Sequence, residues 1–438
     1  MYSILYGMVT TEDFKYALTM LHSHSPEEFI KRDINIDLNS NKIIAISGAR
    51  RTGKTYVMFQ CINDLEERGV KKDNILYINF ENERLIGLNA KDLDLLLVAH
   101  KELFSPNGKI YIFLDEIQVV ENWDKWVRKI YDTGNYQIIL TGSSSELLSS
   151  EIATSLAGRN LTYTIYPLSF NEYISAKGLK VDKMLKYSTD RGTILKAVRA
   201  FLEYGSFPEI AVLADNTRKL EILSSYFDAI FFKDIVRRYR IREINELRIF
   251  LRILCSNYAS YFSSVKTLNT FRSMGWNINR VTILNFLEYA SNVFLVQKLE
   301  QYERSTNRQL SLHKKVYTID TGISRLFSDI NMGRALENAV FLELLRNRNK
   351  DISYLKLKSG KEIDFVVGER TKEIIQVCYD VSDPDTRSRE VSALLEGAKN
   401  FGLKAAKIIT YDFEDEEIID GIKIQYIPFW IWALNELK

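Results

Sequence analysis

The sequence predicts an α/β chain: a parallel sheet core, then a helical region, then a small second α/β body. Three observations predict it. Between residues 41 and 167, near-continuous apolar runs alternate with polar amphipathic stretches. That is the pattern of parallel strands covered by helices on both faces. The first run leads directly into a glycine-rich segment, Gly48-Ala49-Arg50-Arg51-Thr52-Gly53-Lys54-Thr55. Beyond residue 168 the pattern becomes helical, and past residue 331 strands alternate with helices again.

The expected strands of the core are Lys42–Ser47, Asn74–Phe80, Lys109–Leu114, Gln137–Leu140 and Leu161–Tyr166. A helical segment (1–30), with Phe14, Leu18 and Leu21 on its apolar face, precedes a core domain at 31–167. A helical lid (168–230) breaks at Gly205-Ser-Phe-Pro208. In 231–325, helices at 244–262, 264–274 and 279–291 and two strand-like pieces, Val293–Tyr302 and Lys314–Ile319, follow the order of a winged helix. The tail, 326–438, opens with a helix at Glu337–Arg346 and continues with five strand-like runs and a helix at 386–402.

The 438 residues are 46% hydrophobic and 26% charged, enough for a large core and inconsistent with disorder as the main state. With 59 basic and 57 acidic residues, whole-chain charge points to no partner. Cys61, Cys255 and Cys378 are odd in number and far apart. They exclude a disulfide scaffold and a cysteine zinc knuckle, and fit a reducing compartment. The N-terminus lacks a basic leader region, and the longest apolar run, Ile427–Leu434, is far short of the roughly 20 residues that span a bilayer. The expectation is a soluble cytoplasmic protein without a membrane role.

The segment Gly48–Thr55 matches G-x-x-x-x-G-K-[ST] in full, after a strand and at the start of a helix. The glycines let successive backbone N–H groups point at phosphates, and the helix N-terminus adds its positive dipole end. Lys54 is expected to reach the β/γ-phosphates of ATP, and Thr55 to place its hydroxyl on Mg²⁺. Residues Gly48 through Thr55, with Tyr56, form the expected nucleotide contact. The run Ile110–Leu114 ends in Asp115-Glu116. Asp115 is expected in the Mg²⁺ shell, and Glu116 as the base that orients and deprotonates water. Alone, an Asp-Glu pair is also an ordinary strand terminus; the upstream loop favours the chemical role. Thr141 and Ser143, at the end of the next strand, are candidates to reach the γ-phosphate or to serve as plain helix caps. Arg159 suits charge developing on a transferring phosphoryl group, but a lone arginine is usually a solvated surface residue.

With SGARRTGKT, LYINFENERL, IFLDEIQVVENW, ILTGSSSELLS, LAGR, PLSFNEY, GSFPE, KVYTIDTGI, ALENAVFLELL and EIDFVV in this order, the chain resembles the prokaryotic AAA+-like P-loop ATPases with a C-terminal domain of unknown function. The resemblance implies ATP binding and hydrolysis by Lys54, Thr55, Asp115 and Glu116. It implies sensor roles for Thr141 and Ser143, and a finger role for Arg159 across a subunit interface. That last role needs a homo-oligomer, which sequence does not show.

The tail resembles the PD-(D/E)XK, restriction-endonuclease-like fold. Its Mg²⁺ and phosphate positions would be Glu337, Asp364 and Gln376-Val-Cys378. Gln376 is neutral where a carboxylate is expected, and Cys378 replaces the lysine with a group that cannot act as a cation. The expectation is a vestigial nuclease site serving as a binding or scaffolding module, with residual cleavage as the alternative.

Between Phe231 and Leu310 there are 13 basic and 6 acidic residues. Arg237, Arg238, Arg240 and Arg242 cluster; Arg272, Arg280, Asn277, Asn279 and Thr282 surround the presumed recognition helix. Double-stranded DNA or a protein is the expected partner of this block, and a place for Arg237–Arg242 at the nucleotide site or in an interdomain ion-pair network is the plain alternative. His22 and His24 read as a helix end, Glu414–Glu417 as a solvated turn, and Trp123 and Trp126 as core. The functional expectation is a Mg²⁺-dependent ATPase whose hydrolysis drives domain rearrangement on DNA. A slow nucleotide switch that scaffolds protein partners, and an ATP-gated DNA nuclease, stand beside it.

Overall fold

In the computed structural model the chain forms two units, Met1–Ile165 and Tyr166–Lys438. The structure describes residues 9–24, 29–143, 156, 158–181, 190–303, 305–346, 351–369 and 372–435. Ser144 and Ser145, the side chains of His22 and His24, and that of Leu21 lie outside the described residues.

The first unit runs α1 (Thr11–His24), β1 (Ile43–Ser47), α2 (Lys54–Glu67), β2 (Ile75–Asn79), α3 (Leu93–Phe104), β3 (Ile110–Asp115), α4 (Trp123–Tyr131), β4 (Tyr136–Gly142) and β5 (Asn160–Thr164). The strands form one parallel sheet in the order β2-β3-β4-β1-β5. Their near-continuous apolar sequence follows from burial on both faces. The period of two then sorts alternate residues into two cores. Ile43, Ala45, Ile112, Leu114, Ile138 and Leu140 pack with α1, α3 and α4. Ile44, Ile46, Phe113, Ile139 and Tyr163 pack with α2. Trp123 and Trp126 are buried in the first core, as their helical spacing predicts. Each fully buried Ile, Leu or Phe of these cores contributes about 1.5–3 kcal/mol relative to leaving it exposed.

From β1 the chain crosses to the far edge and returns through β3 and β4. The segments after β1, β3 and β4 therefore leave the carboxyl ends of three adjacent strands, where open parallel sheets bind ligands.

The second unit holds α5 (Phe170–Ala176), α6 (Arg191–Tyr204), α7 (Pro208–Val212) and α8 (Asn216–Ala229), then a π-helical turn at Ile230–Arg237. Next come α9 (Ile244–Ser256), β6 (Ser260–Tyr261), α10 (Ser264–Ser273), α11 (Arg280–Asn292), β7 (Val296–Leu299), α12 (Thr306–Ser311) and β8 (Lys315–Thr318). The strands form a small antiparallel sheet, β6-β8-β7. The helix expected at 244–262 therefore stops at Ser256, because Ser260 and Tyr261 pair with Val316 and Lys315.

The chain ends with α13 (Thr321–Arg325), α14 (Met332–Arg346), β9 (Ile352–Lys356), β10 (Glu362–Val367), β11 (Glu373–Val377), α15 (Pro384–Phe401), β12 (Ala405–Thr410), β13 (Asp415–Ile419), β14 (Ile422–Pro428) and α16 (Phe429–Asn435). The six-stranded mixed sheet has the order β13-β14-β12-β11-β10-β9. Residues Asp415–Glu417, read from sequence as part of a solvated turn, are the start of strand β13. It is an edge strand with exposed carboxylates, a composition that discourages pairing with another chain.

The helical, hairpin and tail blocks pack within the one unit. At its start, Arg346 donates to the Pro167 carbonyl at 2.7 Å, and Glu343 accepts from the Phe170 N–H at 2.8 Å. The break after α6 is a second joint. Gly205 leaves the helix at φ +79°, and the buried Asp320 carboxylate accepts the Ser206 N–H at 2.6 Å and the Gly322 N–H at 2.9 Å. Burial pushes the Asp320 carboxyl up to about 7, against its backbone hydrogen bonds. An acid whose folded pKa lies above its unfolded value holds its proton more tightly in the native state. Its contribution is complete below about pH 4 and is lost as pH rises through about 7. Stability is therefore expected to fall as pH rises from about 4 to about 7, by at most about 1.4 kcal/mol per pH unit from this group, and the melting temperature falls with it. A pH series of thermal melts of wild type and Asp320→Asn checks it; equal slopes would remove Asp320 as the source.

Candidate functional site

Gly48–Thr55, the residues expected to hold phosphate, follow β1 at the carboxyl edge of the sheet. A Cβ on Gly48 (φ +150°) would stand 2.2 Å from the Ile165 carbonyl oxygen, so no larger residue fits. Arg51 (φ +68°) and Gly53 (φ +94°) flank Thr52 in left-handed conformations and turn the loop back toward α2. The loop is braced from inside: Thr52 Oγ1 donates to the Ala49 carbonyl at 2.9 Å and Lys54 Nζ to the same oxygen at 3.1 Å. It is also braced from outside. Buried Arg32 donates to the Thr52 carbonyl at 2.6 Å, and its backbone is held at both ends by Gln60 of α2.

Asp115, at the end of β3, is fully buried and collects four donors. Thr55 Oγ1 reaches its Oδ2 at 2.8 Å, Tyr77 OH at 3.0 Å and Asn79 Nδ2 at 3.5 Å; Thr141 Oγ1 reaches Oδ1 at 2.5 Å. Burial raises the Asp115 pKa despite these hydrogen bonds, and the neighbouring Glu116 charge adds to the rise. Glu116 lies just past the strand at φ +54°, with its N–H donated to Thr141 Oγ1 at 2.8 Å. That hydroxyl accepts from one acidic residue's backbone and donates to the other's side chain. Burial raises the Glu116 pKa, but the Lys54 ammonium at 3.5 Å and the Gln118 amide outweigh it and hold the carboxyl below its ordinary range. Gln118 Nε2 also lies 3.4 Å from Ser143 Oγ.

Lys54, Thr55, Asp115, Glu116, Thr141 and Ser143 are thus brought together. Arg50 pairs with Glu81 at 3.1 Å, and Tyr56 is half exposed beside the Phe29 ring. Arg159 is not brought to them. β5 runs parallel to β1 with Asn160 opposite Ile43, so Arg159 stands at the amino edge of the sheet, where it lies 3.7 Å from Asp132. The five residues of β1 separate that edge from the loop by about 16 Å at ~3.3 Å per residue. Arg32, Gln60, Tyr77, Asn79 and Gln118 went unread in the sequence. Only Gln118, two residues past Glu116, carried a local signal.

In the second unit, Glu337 of α14 and Asp364 of β10 both contact Lys315. Gln376 accepts the Asp364 N–H at 3.2 Å and donates to Glu390 at 2.6 Å. Burial pushes the Cys378 thiol up to about 11. In the basic block, Arg237, Arg240, Arg242, Arg272 and Asn277 are exposed, and Arg280 bonds Ser264 Oγ at 2.9 Å. The Asn279 side chain accepts the Thr282 N–H at 2.9 Å and caps α11, so its carbonyl is engaged within the helix start.

Three family models match successive stretches of the chain. Residues 40–174 match the AAA domain model, 195–333 a domain of unknown function (DUF8612), and 332–432 another (DUF4143). An uncharacterized protein of Methanocaldococcus jannaschii is 42% identical, over 93% of this chain and 91% of its own. An uncharacterized protein of Haemophilus influenzae is 32% identical, over 93% of this chain and 98% of its own. Among solved structures, the Walker-type ATPase PABY2304 of Pyrococcus abyssi has 15% identity and a TM-score of 0.37, covering 73% of this chain and 96% of that one. The Aeropyrum pernix ORC1 protein in complex with DNA has 13% identity and a TM-score of 0.29, covering 76% and 93%. These two likenesses are too distant to bear on function. In the described residues no helix is long and apolar enough to cross a membrane. The chain belongs to the family of these M. jannaschii and H. influenzae proteins, and in it an AAA domain of the P-loop ATPase type precedes two domains of unknown function.

Proposed function

We propose that the chain binds Mg²⁺·ATP at Gly48–Tyr56 and hydrolyses it, with Glu116 as the general base. The observation that carries this reading is one network of hydrogen bonds and an ion pair joining Lys54, Thr55, Asp115, Glu116 and Thr141 at the ends of adjacent strands. Thr55 Oγ1 and Asp115 Oδ2, 2.8 Å apart, are both oxygen donors and fit a small hard cation. When bound there, Mg²⁺ would neutralise charge on the β- and γ-phosphate oxygens. Lys54 is the local ammonium for the same oxygens. Its move toward phosphate takes positive charge from Glu116, whose carboxylate then becomes more basic as the water must lose its proton. Gln118 keeps that carboxylate aimed, and Thr141 ties its backbone to Asp115. Arg159, at the amino edge, would serve a nucleotide only in a neighbouring copy. Calorimetric titration of ATP into the full chain tests the site: Lys54→Ala is expected to weaken binding at least about tenfold, or about 1.4 kcal/mol. Unchanged affinity would place ATP elsewhere or nowhere.

A second reading makes the nucleotide a switch for a protein partner. It is favoured at α10, its following residue and α11, where Val265, Met274, Val281 and Leu284 are exposed. The element order helix, short strand, two helices and hairpin supports a winged-helix reading of this block, but its outward helix shows aliphatic side chains. Base edges are read mainly by polar groups. Exposed Arg237, Arg240, Arg242 and Arg272 keep duplex DNA in view. DNA that accelerates ATP turnover several-fold would restore the DNA-coupled reading over the protein-partner one.

A further inference from the structure

The tail's likeness to divalent-metal nucleases rests on Glu337, Asp364 and Gln376, and the structure places a cation among them. Lys315 of β8 is 4% exposed, on a strand buried along its whole length. Its Nζ lies 2.9 Å from Glu337 Oε1, 2.5 Å from Glu362 Oε1 and 3.2 Å from Asp364 Oδ1. The ammonium donates hydrogen bonds to Glu337 and Asp364, and Glu362 is a third carboxylate at ion-pair distance. The other contacts of the cluster are also internal. Tyr317 OH donates to Glu337 Oε1 at 2.7 Å, the Val377 N–H donates to Asp364 Oδ2 at 3.0 Å, and Gln376 is shared between the Asp364 N–H and Glu390. The pairing of β9 with β10 shifts register between Ile363 and Val366, the stretch that carries Asp364; a bulge is a common device for re-aiming a side chain.

The residues do not fit a divalent cation as they stand. Among the described residues, no group of three or more His, Cys, Asp or Glu side chains is arranged to hold one. The carboxylate oxygens that would ligate it face a fixed positive charge. Burial raises the pKa of Glu337 and of Glu362, the latter to about 8, and removing the ammonium would leave three carboxylates facing one another. Of the two departures from the nuclease pattern that the sequence shows, the neutral Gln376 and the Cys378 that replaces a lysine, the second is the loss of a cation. The structure supplies that cation from another strand.

We propose that Lys315 is the resident cation of this cluster: it stands where a divalent metal would, keeps metal out, and ties β8 to α14 and β10. The C-terminal body then cleaves no phosphodiester, and the cluster is a joint between the hairpin and the six-stranded sheet. Stoichiometric Mn²⁺ binding to the full, nucleotide-free chain tests it by calorimetry. Wild type is expected to show no Mn²⁺ site that Asp364→Asn removes. Lys315→Met is expected to gain one Mn²⁺ per chain and to lose it again in Lys315→Met/Asp364→Asn. Lys315→Gln, which keeps a polar head, takes the place of the methionine variant if that does not fold. A wild-type Mn²⁺ site lost in Asp364→Asn overturns the proposal, as does a folded Lys315 variant that gains no metal. Metal-dependent DNA nicking by wild type that is lost in Lys315→Met would overturn it too and make Lys315 a catalytic lysine.

Discussion

Glu116→Gln is expected to leave ATP bound and nearly unhydrolysed. The amide keeps the shape of the side chain, so the backbone bond to Thr141 and the contact with Gln118 have no steric reason to change. It cannot accept a proton from water, and a positioned general base contributes typically about 10²–10⁴ in rate. The substitution also removes the charge that faces Lys54 at 3.5 Å. Lys54 is then free of its carboxylate partner before phosphate arrives, so affinity for ATP is expected to hold or rise. A turnover assay beside an equilibrium titration separates the two quantities. A variant that hydrolyses at the wild-type rate would remove Glu116 from the chemistry. One that loses ATP affinity in parallel would make it a binding residue.

Gly205→Ala is expected to give a large loss of stability from a single added methyl. Gly205 sits at φ +79°, ψ −166°, a conformation open essentially to glycine alone. An added Cβ would fall 1.6 Å from Asp320 Oδ1, so the buried carboxylate must leave the Ser206 and Gly322 N–H groups it accepts from. Strain of about 1–3 kcal/mol and overpacking of about the same size combine to about 2–6 kcal/mol. Urea unfolding is the measurement. A change under about 0.5 kcal/mol, the range of ordinary surface substitutions, would show that the joint relaxes without cost.

The parts of the site that sequence disclosed are those written in one stretch of chain. The loop from Gly48 to Thr55 is a local backbone device, and Asp115-Glu116 follows from a strand that ends at the carboxyl edge. The residues that hold them were not legible, because they meet across the fold. Thr55 bonds Asp115 from 60 positions away and Tyr77 from 38. Arg32 braces Thr52 from 20, with no motif to announce it. The position of Arg159 depends on which strand β5 pairs with and in what direction, a tertiary choice that spacing does not encode. β13 was hidden by its own charges: an edge strand with solvent on its outer side does not need the apolar alternation by which strands are recognised. Lys315 looked like one more polar residue at the start of a short strand. Its meaning came from Glu337, Glu362 and Asp364, which only the packed hairpin brings to it.

Phosphate release from ATP by the full chain with Mg²⁺, measured beside Lys54→Ala under the same conditions, tests the account most directly. Wild type is expected to turn over ATP, and the variant to fall to the background of a protein-free control. Equal rates in the two proteins would contradict the account, since hydrolysis would then owe nothing to the lysine that contacts both the loop and Glu116.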